Sequence, residues 1–373
     1  MTTRTLDMAN VIASDVTIAG DKTFSGDIIP SSPLSHRNLI INGAMQVSQR
    51  GTSSTGQGAS TIFLLDRFKL QTNGNSAGRY TVTQESITDL PGFAKAMKLS
   101  CTTADTSIAA AERFFIGYSF EGQDVQLLKK GTSSAEKVTL SFYVKGNAAA
   151  TYVVGFYDVG GRNIGKQFSV TTSWNRVSIT FDGDTSNAPT NDNSEQLVLR
   201  FYLHAGSNYT GGTLQQVWDT TTNNETVGGG TTSFFDSTNR TFFITGVQLE
   251  LGENATPFEH RFYGEVADQC YRYYQKFEPT TAQGADTKTQ AGNLAFILVP
   301  FLKPMRSSAS FSVTGNFSYY NGSSWVSATT SGGASDTSAF LYLNVGTNGL
   351  ASGSPSAWYI RSNSQKIILD SEL

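Results

Sequence analysis

Side chains that could perform catalysis are few, and they show none of the spacings that common mechanisms need. The three histidines, His36, His204 and His260, form neither the HExxH nor the HxH pattern of a metal-dependent hydrolase. The chain has no GxSxG turn for a serine nucleophile and no phosphate-binding P-loop. We therefore expect a protein that is not an enzyme, with no catalytic residues, no metal and no cofactor.

Cleavage of polysaccharide is the alternative that the acidic residues leave open, because glycoside hydrolysis uses two carboxylates. The available carboxylates are those of Glu121, Asp124, Asp182, Asp184 and Glu195. A chain with 30 acidic residues contains such pairs without any catalytic role. The chain also lacks the regular period of a parallel β-helix, the architecture typical of polysaccharide depolymerases.

Sugar binding has better support, since sugars stack their apolar faces on exposed aromatic rings while amide and acid side chains bind the hydroxyls. Tyr143 and Tyr202 alternate with Phe142 and Phe201, which are expected in the core, so both tyrosines should face outward or toward a groove. The predicted ligand-binding residues are Tyr143, Tyr202, Tyr209, Trp218, Trp325 and Trp358. The competing interpretation is that each of these rings packs in the core.

Composition restricts the fold and the partners. Only 15% of the 373 residues are charged and 38% are hydrophobic, while 36 glycines, 24 phenylalanines and 15 tyrosines are present. Abundant aromatics argue against disorder, and the low Ala, Glu, Lys and Leu content argues against a helical bundle. A net charge of −3 offers no basic field for nucleic acid.

The apolar segments and the two cysteines indicate how the chain relates to membranes and whether it forms a disulfide. The apolar run 293–302 is too short to span a bilayer and contains Pro300, so we expect no membrane insertion. No charged segment followed by an apolar one opens the chain, so no secretory signal is expected. Cys101 and Cys270 are predicted to be free thiols, with a single long-range disulfide as the alternative.

Strand patterns divide the chain into three predicted parts. Residues 1–36 carry two short alternating segments that need partners to be buried, which indicates an attachment or oligomerisation stalk; a disordered tail is the alternative. Residues 37–277 contain many short strands and a long polar loop, Gly206–Asp236, which indicates an antiparallel sandwich. Residues 278–373 return to short strands and predict a smaller β domain.

Helical spacing appears once, within GEVADQCYRYYQKF (264–277). Glu265, Val266, Cys270 and Tyr273 fall on helical positions, so we expect one short helix that caps the sandwich.

Three motifs together resemble a module of tail fibre and appendage proteins of tailed phages, marine ones especially. The first is NLIINGAMQVSQRG (38–51) with Asp66-Arg67-Phe68, the second is FFITGVQLELG (242–252) running into ATPFEHR (255–261), and the third is CYRYYQK (270–276). Phe68 stands where the module usually has tryptophan. The opening and closing strands are also similar to those of carbohydrate-binding jelly rolls.

This resemblance implies an all-β jelly-roll sandwich whose first and last strands lie side by side, and it implies a position in the virion tail. The jelly-roll resemblance also raises a structural calcium ion as an alternative, with Asn42, Asp66 and Glu250 as the positions to inspect. No metal is predicted. Asp66 and Arg67 are expected to form a buried pair, and His260 and Arg261 to fasten the helix.

The leading prediction is a homotrimeric phage tail fibre protein, made in the host cytoplasm, that recognises host surface polysaccharide. Residues 1–36 would bind other tail proteins, and residues 278–373 could be the distal tip. The alternatives are a purely structural tail adaptor or collar protein and a polysaccharide depolymerase.

Overall fold

A computed structural model describes residues 35–74, 76–278, 301–314 and 366–373, together with the backbone of six strands between residues 286 and 359. Most of the predicted stalk, residues 1–36, therefore lies outside the described residues. The strands in chain order are β1 (Ser53–Gln57), β2 (Ile62–Phe63), β3 (Phe68–Asn73), β4 (Arg79–Ser86), β5 (Lys95–Thr103), β6 (Arg113–Glu121), β7 (Val138–Gly146), β8 (Ala150–Asp158), β9 (Arg162–Val170), β10 (Asn175–Phe181), β11 (Glu195–Ala205), β12 (Asp219–Thr220), β13 (Thr241–Leu251), β14 (Tyr274–Phe277), β15 (Asp286–Gln290), β16 (Leu294–Val299), β17 (Ser310–Thr314), β18 (Phe317–Tyr320), β19 (Trp325–Ala334), β20 (Ala339–Asn344), β21 (Ser356–Tyr359) and β22 (Lys366–Asp370). The helices are α1 (Ser207–Thr210), α2 (Tyr263–Cys270) and the 3-10 turns Gly122–Leu128 and Asn223–Glu225.

Two antiparallel sheets form a jelly-roll sandwich, which confirms the predicted all-β fold. Sheet A has the strand order β1-β4-β5-β13-β7-β10, and sheet B has the order β12-β9-β8-β11-β6-β3-β2. Neighbours in both sheets are mostly distant in sequence, so each sheet is assembled by chain crossings between the two layers.

Alternating residues on the central strands build the core between the sheets. The two predicted apolar faces, Val138-Leu140-Phe142-Val144 on β7 and Leu197-Leu199-Phe201-Leu203 on β11, are all buried. Phe142 packs edge-on against Phe201 of the opposite sheet, with ring centroids 5.1 Å apart. Because each such ring removes a large apolar area from water, these contacts hold the sheets together.

The opening motif lies beside the closing strand, as the resemblance implied. The side-chain oxygen of Asn38 accepts hydrogen bonds from the backbone N–H groups of Ile40 and Leu249, at 2.9 and 3.1 Å. The Leu39 N–H donates to the Leu249 carbonyl at 3.0 Å. Residues 38–43 therefore fasten the start of the sandwich to strand β13.

A bulge in β13 depends on one glycine of the second motif. Gly246 has φ +62°, and a Cβ at this position would lie 2.8 Å from the Phe93 ring. The β13–β7 register shifts between Thr245 and Gln248. Glycine is the residue that adopts this left-handed conformation without strain, which explains its place in the bulge.

The helix prediction was correct only for its first half. Helix α2 ends at Cys270, and Tyr274–Phe277 forms strand β14, which pairs with β22 near the C-terminus. Val266, Ala267 and Cys270 pack against Val47. Arg261 bonds to Gln269 and Glu265 of the helix and to the Asn38 carbonyl, so it fastens α2 to the opening motif.

The chain after β14 forms two structures. Six strands close into a barrel with the order β15-β16-β20-β19-β18-β21. A separate three-stranded sheet, β14-β22-β17, combines residues from both sides of the predicted boundary at 277/278. The last residues, 370–373, then contact the sandwich.

Asp66 and Arg67 are buried as predicted, but they do not pair with each other. Arg67 donates to Glu372 at 2.5 Å and to the Ser119 carbonyl at 2.6 Å. The Asp66 carboxylate accepts a hydrogen bond from Gln49 at 2.7 Å and lies 3.5 Å from Arg50. The C-terminus, which is remote in sequence, thus supplies the partner of Arg67.

Both cysteines are free and buried. In the part of the chain that the structure describes, no helix is long and apolar enough to cross a membrane.

Candidate functional site

The outer face of sheet B carries the most unusual arrangement of polar and aromatic groups. We call it the loop face: it comprises the outward side chains of β6, β8, β9 and β11, and the segment 206–236 that lies across part of them. Leu214 and Val227 of this segment pack against Val153 and Tyr202 of the sheet. The segment thereby leaves one part of the sheet covered and the adjoining part open.

Arginines and aromatic rings alternate along the loop face. The Arg200 guanidinium lies 4.2 Å from the Tyr157 ring and 5.1 Å from the Phe115 ring. Arg113 lies 5.8 Å from Phe115 and 5.0 Å from Tyr209. Each guanidinium is attracted to the faces of its neighbouring rings, so the row is held in one arrangement before any ligand binds.

Glycines flank Arg200 on both sides. The cross-strand register places Gly117 and Gly155 directly opposite Arg200, on β6 and β8. A glycine inside a strand weakens the strand and often marks a place where another group approaches the backbone closely. On the β8 side, Gly155 leaves a floor without a side chain beside Arg200, whereas the Lys69 side chain crosses over Gly117 on the β6 side.

Several buried polar atoms of the loop face lack a hydrogen-bond partner among the described residues. They are Arg200 Nε, Asn163 Oδ1, Gln215 Oε1 and Thr221 Oγ1. Arg200 satisfies one other nitrogen by donating to the Tyr202 hydroxyl at 3.3 Å. Because buried polar atoms are nearly always paired, these four are places where a ligand, an ion or a water can bind; further atoms of the described residues that lack a hydrogen-bond partner lie elsewhere, at Arg50, Arg67, Thr72, Tyr80 and Glu265.

A groove of about 510 Å³ opens where the loop segment leaves the sheet. Its lining is neutral except for one lysine, and it consists of Lys166, Gln167, Gly212, Thr213, Leu214, Gln216 and Gly229. A second hollow of about 200 Å³ shares Gly229 and is lined mainly by Thr and Gly. Such a surface of amides and hydroxyls can exchange hydrogen bonds with an uncharged, hydroxyl-rich molecule.

Two of the predicted ligand-binding residues meet at the loop face, but neither offers an open ring. Tyr202 was predicted to face outward or toward a groove. It does leave the inner core, yet segment 206–236 covers it and leaves the residue only 4% exposed. Tyr209 is half-buried in the same cluster, and its carbonyl accepts the N–H groups of Val227 and Gly228.

The other predicted residues lie elsewhere. Tyr143 is half-buried on the outer face of sheet A, 5.2 Å from the Phe93 ring. Trp218 packs on the end of the core, stacks on Phe156 and donates from its indole N–H to the Asp182 carbonyl at 2.7 Å. The side chains of Trp325 and Trp358 lie outside the described residues.

Sequence reasoning missed Tyr157, Arg200, Asn163 and Gln215. Arg200 follows the same alternation as Tyr202 in QLVLRFYLH, so its outward direction could have been predicted. The glycines within FFIGYSF and YVVGFYD were a further signal, since glycine inside a strand often marks close approach. The unpaired atoms had no signal, because they depend on how segment 206–236 folds back.

The positions inspected for calcium use their oxygens within the protein. Asn42 bonds to Val47 and to the Asp66 carbonyl. Glu250 accepts hydrogen bonds from Gln248 and from the Thr256 N–H. No group of three His, Cys, Asp or Glu side chains in the described part of the chain could hold a metal ion.

The carboxylates considered for catalysis are mostly held in ion pairs. Burial raises the pKa of Glu121, but hydrogen bonds from Arg272 and Tyr273 lower it overall. Asp184 likewise has a lowered pKa, because Lys130 and Arg162 bond to it despite its burial. Both carboxylates are therefore ionised at neutral pH.

Asp124 differs from these two carboxylates. Asp124 is exposed, but partial desolvation by its surroundings, and then the nearby Glu121 carboxylate, raise its pKa. It lines a cleft of about 450 Å³ that also includes Asp268, Arg272 and Lys303. A raised pKa beside a lowered one is the pattern of an acid–base pair, although Glu121 is fully engaged by its partners.

Comparisons with known proteins give weak similarities in structure only. No protein-family model and no curated protein sequence matches the chain. The enzymatically active domain of tailspike protein 4 from bacteriophage CBA120 is 12% identical over 58% of this chain and 21% of its own, with a TM-score of 0.31. The family 11 carbohydrate-binding module of Lic26A-Cel5E from Clostridium thermocellum is 10% identical over 55% of this chain and 98% of its own, with a TM-score of 0.26. TmCBM61, solved with β-1,4-galactotriose, is 10% identical over 58% of this chain and 99% of its own, with a TM-score of 0.29.

Proposed function

We propose that this protein is a tail fibre or tail-appendage protein of a tailed phage and that it recognises host surface polysaccharide through the loop face. The observation that carries glycan recognition is the buried, unpaired Nε of Arg200 between the Tyr157 and Phe115 rings, on the same sheet face as a groove whose lining has one charged residue. Sugars need both elements, a ring or planar group against their C–H faces and hydrogen-bond partners for their hydroxyls.

The lining of the groove favours an uncharged ligand. Arg200 is in contact with aromatic rings, and Lys166 is the single charged residue that lines the groove. Nucleic acid binding instead relies on many phosphate contacts from clustered Lys and Arg. The amides and hydroxyls of the groove instead provide directional hydrogen bonds without a strong positive electrostatic potential.

The phage assignment is supported by the order of the three sequence motifs. Two of these motifs contact each other in the structure. The opening motif bonds to strand β13, which is itself part of the second motif. The proposed homotrimer and the proposed binding of other tail proteins through residues 1–36 rest on the sequence pattern of the stalk. In a trimer, several weak sugar sites on one rigid body would combine into useful avidity.

The test of glycan recognition uses the full-length chain on an array of bacterial surface polysaccharides. Gln216→Ala removes an exposed amide of the groove, and Tyr157→Ser removes the ring beside Arg200. We expect each variant to bind at least about tenfold more weakly, since one good hydrogen bond or stacking contact is worth about 1.4 kcal/mol. Gln123→Ala, an exposed glutamine outside the groove, is the matched control and should bind normally.

Two results would overturn the proposal. One is the absence of binding to every polysaccharide, and the other is binding that both loop-face variants leave unchanged. Release of oligosaccharide that Asp124→Asn abolishes would instead support the depolymerase alternative. Sedimentation that gives a monomer mass at micromolar concentration would exclude the trimer.

The adaptor alternative is favoured by one observation. Phe262 and Tyr263 are neighbours at the start of α2 and are 88% and 61% exposed. Exposed aromatic pairs are more typical of protein contacts than of a bare surface. Tight binding to a tail protein that Phe262→Ser weakens, without any glycan binding, would favour this alternative.

A further inference from the structure

We infer that a calcium ion binds between strand β9 and the segment 215–221, with Asn163, Gln215, Asp219 and Thr221 as ligands. The site lies at one edge of the loop face. It requires no sugar, so it does not depend on the proposed glycan recognition. The strand register brings these residues together, and several of their oxygens are buried without a partner.

The register of β12 and β9 places three of the ligands on one side of the sheet. Asp219 lies directly opposite Asn163, and Thr220 lies opposite Arg162. The Thr221 N–H donates to the Gly161 carbonyl at 2.8 Å, so the ladder continues by one residue. Directly opposed residues share a face and residues two apart share a face, so Asn163, Asp219 and Thr221 lie together.

Gln215 joins this group through its own hydrogen bonds. Its side-chain nitrogen donates to the Asn163 carbonyl at 3.0 Å, and its backbone carbonyl accepts the Gly165 N–H at 2.8 Å. The first bond fixes the orientation of the amide, because reversing it would place two acceptors against each other. The oxygen of Gln215 is therefore the atom without a partner.

Burial makes these free oxygens costly. Asn163 is 3% exposed and Gln215 is 8% exposed, and neither side-chain oxygen has a partner among the described residues. The Thr221 hydroxyl is also buried and unpaired. Buried acceptors are nearly always paired, so two or three unpaired ones in one place call for a bound group.

The neighbouring charges favour a cation. Asp219 adds a carboxylate on the same face, and the Thr220 N–H holds one of its oxygens at 2.7 Å. The nearest arginine of the ladder, Arg162, does not neutralise it. Arg162 points to the other side, where it bonds to Asp184 and to the Trp218 carbonyl.

The donor set selects the kind of ion. Two amide oxygens, a hydroxyl and one carboxylate are hard oxygen ligands, which suit Ca²⁺ and offer nothing to a metal that prefers nitrogen or sulfur. Mg²⁺ is less suited, because it keeps most of its water molecules. With a single charged ligand we expect weak binding, with Kd of about 10⁻⁴–10⁻³ M.

The experiment measures thermal unfolding of the full-length chain in chelator and then in about 10 mM CaCl₂. Binding to the folded state alone should raise the Tm by about 3 °C at this concentration. Asp219→Asn and Asn163→Leu should each lose most of this shift. Asp182→Asn, which changes a carboxylate that is 63% exposed and lies outside the site, should keep it.

The chelator condition separates loss of the ion from loss of the fold. Without calcium, Asn163→Leu should be at least as stable as the unaltered chain, because it removes an unpaired buried acceptor. A wild-type Tm that CaCl₂ raises no more than MgCl₂ or NaCl of equal ionic strength would overturn the inference and leave an ordered water as the bound group. A calcium shift that both variants retain would also overturn it. Glycan binding by the Gln216→Ala variant is measured in a separate assay, so the calcium site and the glycan site can each be refuted without the other.

Discussion

The ion pair between Arg67 and Glu372 offers the sharpest test of how the sandwich is closed. Arg67 is 2% exposed and the Glu372 side chain is 3% exposed, with a nitrogen–oxygen distance of 2.5 Å. Burial lowers the pKa of Arg67, but the adjacent Glu372 carboxylate raises it overall. The next-to-last described residue of the chain thus neutralises a charge inside the base of the sandwich.

Glu372→Gln keeps the shape of the side chain and removes its charge. The guanidinium of Arg67 would then be buried without a counter-charge, although the Tyr273 ring remains 3.4 Å from it. Breaking one side of a buried pair costs about 3–5 kcal/mol. For a unit of this size, we expect the Tm to fall by roughly 6–15 °C.

The assay is urea unfolding monitored by tryptophan fluorescence, with calorimetry for Tm. The matched control is Glu253→Gln, whose carboxylate is 62% exposed and pairs with the half-exposed Lys137. Such a surface pair contributes at most about 1 kcal/mol. The double variant Arg67→Met with Glu372→Gln should recover part of the loss, because it removes the uncompensated guanidinium.

A loss for Glu372→Gln below about 1 kcal/mol would refute the reasoning, since it would mean that water reaches the guanidinium. A double variant no more stable than the single one would also refute it. In that case the hydrogen bond from Arg67 to the Ser119 carbonyl, at 2.6 Å, would be the important contact.

Three further predictions concern the core, the bulge and the buried Asp66. Phe142→Ala should cost about 3–5 kcal/mol of unfolding free energy in urea, because its ring contacts Phe168 and Phe201 edge-on at 5.2 and 5.1 Å; a loss below about 1 kcal/mol would contradict that packing. Gly246→Ala should cost at least about 1–2 kcal/mol by the same measurement, since its φ is +62° and the Phe93 ring fills the space; an unchanged midpoint would show that β13 can shift. Burial raises the pKa of Asp66 to about 6, above its ordinary value of 3.8, so the folded state binds the proton more tightly and stability should rise as pH falls from 7.5 to 5. Relative to Asp66→Asn, the unaltered chain should gain about 1 kcal/mol over this range, and equal pH profiles would contradict the raised pKa.

Alternation predicted the inner faces of the sandwich because it depends only on the two-residue period of a strand. Every second residue from Val138 to Val144 and from Leu197 to Leu203 is buried in the core for that reason. The same period predicts which side chains point away from the core, but it does not predict whether another segment covers them. Tyr202 shows the limit, since a segment that follows in sequence folds back over it.

Contacts between residues that are distant in sequence could not be predicted from local sequence patterns. Tyr273 stands at a helical spacing from Val266 and Cys270, yet α2 ends at Cys270 because the next residues pair with Lys366–Asp370. The partner of Arg67 is likewise about 300 residues away. A helical spacing or two neighbouring charges in sequence describe only local preferences. Pairing with a distant strand or residue can override these preferences, and local sequence does not reveal it.

The low charge content acquires a physical meaning when the buried pairs are considered. Glu372 neutralises Arg67, Glu121 binds Arg272, and Lys130 lies between Asp158 and Asp184. Charges that hold the fold together are not available to a ligand. In the proposed recognition of glycan, the groove, whose lining contains the single charged residue Lys166, would therefore rely mainly on amides and hydroxyls, whose hydrogen bonds are directional but individually weak. Under the proposed function, such a groove would distinguish glycans by the positions of their hydroxyls, and several copies in the proposed trimer would be needed for firm binding.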